Sequence, residues 1–155
     1  MQSKLCLTAL VIWLVTMGGL GWLFVRGWTT EGSDRRTAIA LAPSEQDQIL
    51  SEMRLLLKAV HGVVTGLSGS DGDVKAVEEA ARAAGMIMAA DVSPALMAKL
   101  PLAFKQMGVT VHQDMDQLAD AVVQRESPPQ LLRRLSSITA RCTTCHDLYR
   151  FSAIQ

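Results

Sequence analysis

The apolar positions of this chain change character twice. From Leu5 to Val25 they run on without a charge, "LCLTALVIWLVTMGGLGWLFV". About 21 residues make about 31 Å of helix, close to the hydrocarbon thickness of a bilayer, so one membrane span is expected there. Beyond Pro43 the apolar residues recur every three to four positions, the spacing of helices with one buried face. Between these regimes lies "TTEGSDRRTAIALAP", Thr29 to Pro43, polar and then rich in small residues, with no sustained period. It reads as a tether of moderate length.

In the helical part, Ser44 is placed to cap a first helix whose opening turn carries Glu45 and Asp47, charges favoured at the positive end of the helix dipole. Its stripe is Ile49, Met53, Leu56, Leu57, Val60, Val64 and Leu67, and "SGSDGD", Ser68 to Asp73, ends it. A second helix is predicted from about Asp73 to Ala90, with Val74, Val77, Ala81, Ala84 and Met88 on one side, and "DVSP" at Asp91 to Pro94 breaks it. A third covers Leu102 to Gln124 and carries Phe104, Met107, Val111, Met115, Leu118 and Val122. The fourth begins near Pro129 and buries Leu131, Leu135 and Ile138. Four amphipathic helices with short joins and no strand alternation predict an all-α chain, an antiparallel four-helix bundle behind an N-terminal transmembrane helix. The expected organisation is an anchor over residues 1–28 with its span at 5–25, a tether over 29–43, and a bundle over 44–155. Bundles of this kind hold cofactors between facing helices.

The flanks of the apolar run refine its reading. Trp22 and Trp28 lie near its far end, where indole rings favour the interface, and Lys4 and Arg26 bracket it. A cleaved signal peptide is the alternative. Its small-x-small sites, Ala38-Ile39-Ala40 and Ala40-Leu41-Ala42, lie about a dozen residues too far along, and the run exceeds a secretory core, so an uncleaved anchor is favoured. Cys6 reads as a small apolar residue of the span. The formal net charge is zero. With no stripe of Lys and Arg, the chain does not look like a nucleic-acid binder.

The chemistry concentrates in "TARCTTCHDLY", Thr139 to Tyr149, where two of the three cysteines stand with a histidine as Cys-x-x-Cys-His. Three chemistries compete for that spacing. A thioredoxin-like dithiol sits at a helix start beside a sheet, and here the pair lies near a helix end with no βαβ context. A structural zinc site needs a fourth ligand, which His61 or His112 would have to bring from another helix. Covalent haem attachment meets every constraint: positions i, i+3 and i+4 share one helix face, so Cys142 and Cys145 can form thioethers while His146 reaches the iron from the same side. One covalently attached haem c is therefore the expected cofactor. Thioether haem is attached outside the bacterial-type cytoplasmic membrane. The chain is accordingly expected to be a single-pass inner-membrane protein with its haem domain in the periplasm.

A four-helix domain with Cys-x-x-Cys-His near its C-terminus, followed by an aromatic residue and an arginine ("CTTCHDLYR", Cys142 to Arg150), resembles the class II cytochromes c, cytochrome c′ and its low-spin relatives. The resemblance spans about Ser44 to Arg150. It implies a distal position on the first helix about sixteen residues before the glycine-rich end, which here is Met53, a thioether ligand of the kind that raises haem potentials. Slipping by one turn puts Leu57 there and leaves the iron five-coordinate. The first case implies single-electron transfer with membrane-associated redox partner proteins. The alternative is a five-coordinate, cytochrome c′-like protein that binds or senses diatomic gases such as NO or CO. An accessory subunit of a larger respiratory complex is a third reading, and the resemblance leaves a homodimer open. Arg150 is set to pair with a haem propionate or to lie at the surface, and Tyr149 and Phe151 to cover the proximal side or simply pack. Met86, Met88, Met97, Met107 and Met115 read as core fillers. His61 is expected near the bundle end and His112 on a solvated face. Arg133, Arg134 and Arg141 set against Asp114, Asp116, Asp120 and Glu126 suggest either a partner-orienting surface or a solvated one. No catalytic acid, base or nucleophile constellation appears, so no enzyme activity is expected.

Overall fold

A computed structural model describes residues 2–69, 73–89 and 92–153. Part of the expected glycine-rich helix end, at 70–72, and the break at Ala90 and Asp91 lie outside the described residues. The chain is mostly helical, led by one apolar helix, α1 (Gln2–Arg26), whose apolar window is not buried inside the protein. α1 is long and apolar enough to cross a membrane, a test that a signal sequence also passes. Gly27 ends it with φ +66°, its N–H bonded to Leu23 O at 2.7 Å. Only glycine fits, because a Cβ here would run into the backbone of Lys99 to Pro101.

The segment expected to be a tether is folded. β1 (Thr29–Glu31) and β2 (Thr37–Leu41) form an antiparallel hairpin, and β2 pairs in parallel with a C-terminal strand, β3 (Tyr149–Ala153), in the register Thr37↔Tyr149 to Leu41↔Ala153. The driving force is burial: Ile39 and Leu41 are both 0% exposed. Arg36 closes the hairpin onto Asp34 through Nε at 2.8 Å, and with help from the Arg150 charge this holds the Asp34 carboxyl down at about 2. Arg36 also donates through Nη1 to His146 O at 3.2 Å, which ties the hairpin to the end of the helix that carries the cysteines.

The helices of the domain are α2 (Pro43–Ser68), α3 (Val74–Ala83), α4 (Met86–Ala89), α5 (Pro94–Lys99), α6 (Leu102–Val123) and α7 (Pro128–Leu148). Pro43 opens α2 at the position where a missing N–H costs nothing, and the Glu45 carboxylate accepts the Ala42 N–H at 2.8 Å. Ser44, expected as the cap, therefore lies inside the first turn. The second expected helix is interrupted after Ala83. Asp116 of α6 accepts the Met86 N–H at 2.9 Å and fills the space over Gly85, where a Cβ would collide with its carboxylate. α2 packs on α3, α3 on α6, and α6 on α7.

Two apolar clusters result. One, built on Val63, Val77, Ala81, Met115, Leu118, Leu135 and Ile138, joins α2, α3, α6 and α7. The other gathers Ile39, Leu41, Ile49, Leu96, Leu100 and Phe104, with Met53, Met97, Cys145, Tyr149 and Phe151 packed against it. Phe104 meets Tyr149 and Phe151 edge to face, ring centroids 5.3 and 6.1 Å apart. The second cluster adjoins the exit of α1, and the candidate site lies beside it.

Candidate functional site

α2 and α7 face each other across an apolar cleft with about 890 Å³ of empty space, its open mouth included. α2 contributes Ile49, Glu52, Met53 and Leu56. α7 contributes Arg141, Cys142, Cys145 and His146. Met97 and Leu100 close it from the α5 side, and Phe104, Lys105, Met107, Gly108 and His112 from α6.

The expected site residues divide cleanly. Cys142, Cys145, His146 and Met53 all line the cleft. Leu57 does not: it is 68% exposed, and Leu56 takes the inward place beside Met53. One residue along a helix is a rotation of about 100°. Arg150 is not a cleft residue either. It lies in β3, with Nη1 3.7 Å from Asp34 and a buried Nε that has no hydrogen-bond partner among the described residues.

Both cysteines are half-buried free thiols, and the Cys142 Sγ–H donates to Ile138 O at 3.6 Å. Burial raises both thiol pKa values, and for Cys145 the neighbouring Cys142 adds to the rise. A reactive dithiol is tuned in the opposite direction. Among the described residues no three His, Cys, Asp or Glu side chains converge to hold a metal ion, so a structural zinc set is not assembled. His61 is exposed and does not line the cleft.

His112 departs from its expectation. It is 2% exposed and lines the cleft, with Nδ1 2.8 Å from Ala84 O and Nε2 2.8 Å from Glu52 Oε1. Burial opposes its protonation, but the Glu52 hydrogen bond, the Ala84 carbonyl and the charges of Glu52 and Asp116 outweigh burial and raise its pKa. The helix break after Ala83 leaves that carbonyl free for the ring. The charges of α6 and α7 are likewise committed internally: Arg141 pairs with Asp114 at 2.7 Å, Arg134 with Glu126 at 2.6 Å, and Asp120 with Arg82 at 2.8 Å. A partner-orienting charge split is therefore largely neutralised within the chain.

No family model, curated protein or solved structure matches the chain. Function has to be argued from the cleft itself.

Lys105 was not anticipated as a site residue. It is 8% exposed, and its ammonium donates to Phe24 O at 3.1 Å and Met97 O at 3.3 Å and sits 3.5 Å from the Phe24 ring centre. No carboxylate pairs with it among the described residues, and burial lowers its pKa. Sequence did hold a signal. Lys105, Gly108 and His112 recur at helical spacing beside the apolar stripe of α6, and all three line the cleft. Gly108 has open space where a Cβ would stand, leaving bare backbone for a flat ligand to approach.

These residues fit a covalently held haem: two thiols and an imidazole on one helix face, a thioether on the facing helix, apolar walls with an exposed backbone patch, and a buried cation lacking an anion.

Proposed function

We propose that this chain is a membrane-anchored, periplasmic monohaem c-type cytochrome with a four-helix bundle of the class II kind, made of α2, α3 with α4, α6 and α7, and that it transfers single electrons. Bound haem c would supply the one-electron iron couple. The observation that carries the reading is that Cys142, Cys145 and His146 share one apolar cleft with Met53. In this role Cys142 and Cys145 would hold the group covalently, while His146 and Met53 would offer its iron an imidazole and a thioether, the soft sulfur favouring the reduced state. Burial raises both thiol pKa values, which weighs against a disulfide-exchange role for the pair.

An uncleaved anchor is supported by the joint at its end. The last turn of α1 is held by Lys105 through Phe24 O, and the Trp28 N–H donates to Lys99 O at 2.8 Å. Partners on this reading are membrane-associated redox proteins. The exposed position of Leu57 gives the five-coordinate alternative no support.

The test is the visible spectrum of the full-length protein purified in detergent, oxidised and reduced, with carbon monoxide added to the reduced form. Covalently retained haem with a sharp α band that resists carbon monoxide is expected. Met53→Leu should turn it high-spin and carbon monoxide-reactive. A wild-type protein without covalent haem would sink the proposal, and an unchanged spectrum in Met53→Leu would remove that ligand.

A further inference from the structure

We infer that the cleft receives an acidic group of its ligand at Lys105, so that the occupant is a carboxylate-bearing porphyrin and one propionate is bound by this ammonium. The inference deepens the haem reading and rests on it. A buried lysine is rare unless paired, because its charge has left water. Lys105 has three donors, and two carbonyls and a ring face meet them without neutralising the charge. The other cations near the cleft are already matched: Arg141 holds Asp114 at 2.7 Å, and Lys99 holds Glu45 at 2.6 Å. With Glu52 paired to His112 and Arg141 to Asp114, the missing partner of Lys105 is an anion, and a charge-assisted hydrogen bond in a desolvated cleft is among the stronger polar contacts available. Arg150, expected either beside a propionate or at the surface, lies in β3 outside the cleft, and Lys105 offers a cation from a different helix. Because the same ammonium holds Phe24 O, the bound carboxylate would also brace the last turn of α1.

The experiment titrates full-length apoprotein in detergent with protoporphyrin IX and, separately, with its dimethyl ester, following the Soret band. The same titrations on Lys105→Met and Lys105→Arg, with circular dichroism to verify folding, complete the set. The ratio of diacid to ester affinity, compared between variants, cancels partitioning into micelles. Wild type should prefer the diacid by about tenfold or more relative to Lys105→Met, the worth of one hydrogen bond to a charged group, and Lys105→Arg should retain most of that preference. Equal ratios in wild type and Lys105→Met overturn the inference while leaving the cleft a porphyrin site. Failure of both porphyrins to saturate wild type overturns the inference together with the haem reading beneath it.

Discussion

Ile39→Ala separates a folded strand from a tether by a wide margin. In a solvated linker this change would alter stability by no more than about 0.5 kcal/mol. In the structure Ile39 is 0% exposed and packs in the cluster of Leu41, Leu96, Leu100 and Phe104. Removing three carbons forfeits about 2.5 kcal/mol of transfer free energy at about 0.8 per methylene, and the cavity left behind brings the total to about 3–4 kcal/mol. Against a typical domain stability of about 5–15 kcal/mol this is a large fraction, equivalent to about 10 °C or more in Tm for a domain of this size. The assay is urea unfolding of the full chain in detergent, followed by near-ultraviolet circular dichroism so that α1, which stays helical in the micelle, does not mask the transition. Thr30→Ala, at an exposed position of β1, serves as the control and should stay near wild type. A loss below about 0.5 kcal/mol for Ile39→Ala would refute the strand and restore the tether.

Two further outcomes follow from the joint and from the cleft. Gly27→Ala adds a Cβ at φ +66° against the Lys99–Pro101 backbone, so it should cost about 1–2 kcal/mol or more and loosen α1 from the domain. Tryptic cleavage after Arg26 should then speed up, and an unchanged rate would mean that the joint is not formed. His112 has its pKa raised above the ordinary 6.5 in the folded protein, so the stability it adds is full below pH 6.5 and is lost as pH rises through its folded value. The urea midpoint of wild type should therefore fall as pH rises above 6.5, and that dependence should vanish in His112→Phe; equal slopes in the two proteins would count against the Glu52–His112 pair.

What the sequence made legible follows the range of the forces involved. The helical stripes of α2, α6 and α7 were readable because burial on one face imposes a local period, and the Cys-x-x-Cys-His run was readable because its geometry is set within one turn. β2 was not. In "TAIAL" the small alanines flatten the contrast between faces, and its partner strand begins at Tyr149, far along the chain. The break after Ala83 was hidden for a similar reason: an alanine-rich segment favours helix, and the carboxylate that interrupts it comes from Asp116. Within the site, Met53 was pointed to by the resemblance, and it lines the cleft, whereas the choice between Leu56 and Leu57 depends on a rotation that only packing fixes. The burial of Lys105 and His112 is likewise a property of what surrounds α6 rather than of α6 itself.

The parallel pairing of β2 with β3 also bears on the order in which the protein can be assembled. Ser152 and Ile39, which meet at this seam, are 113 residues apart, so almost the whole domain must be synthesised before its first strand finds its companion. Until then Ile39 and Leu41 sit on an unfinished sheet edge, a surface prone to wrong pairings. The cysteine-bearing helix leads directly into the strand that closes this edge, and Cys145 packs against the same cluster as Ile39 and Leu41. Chemistry performed on the thiols of that helix before the seam closes would precede the locking step, with β3 as the latch.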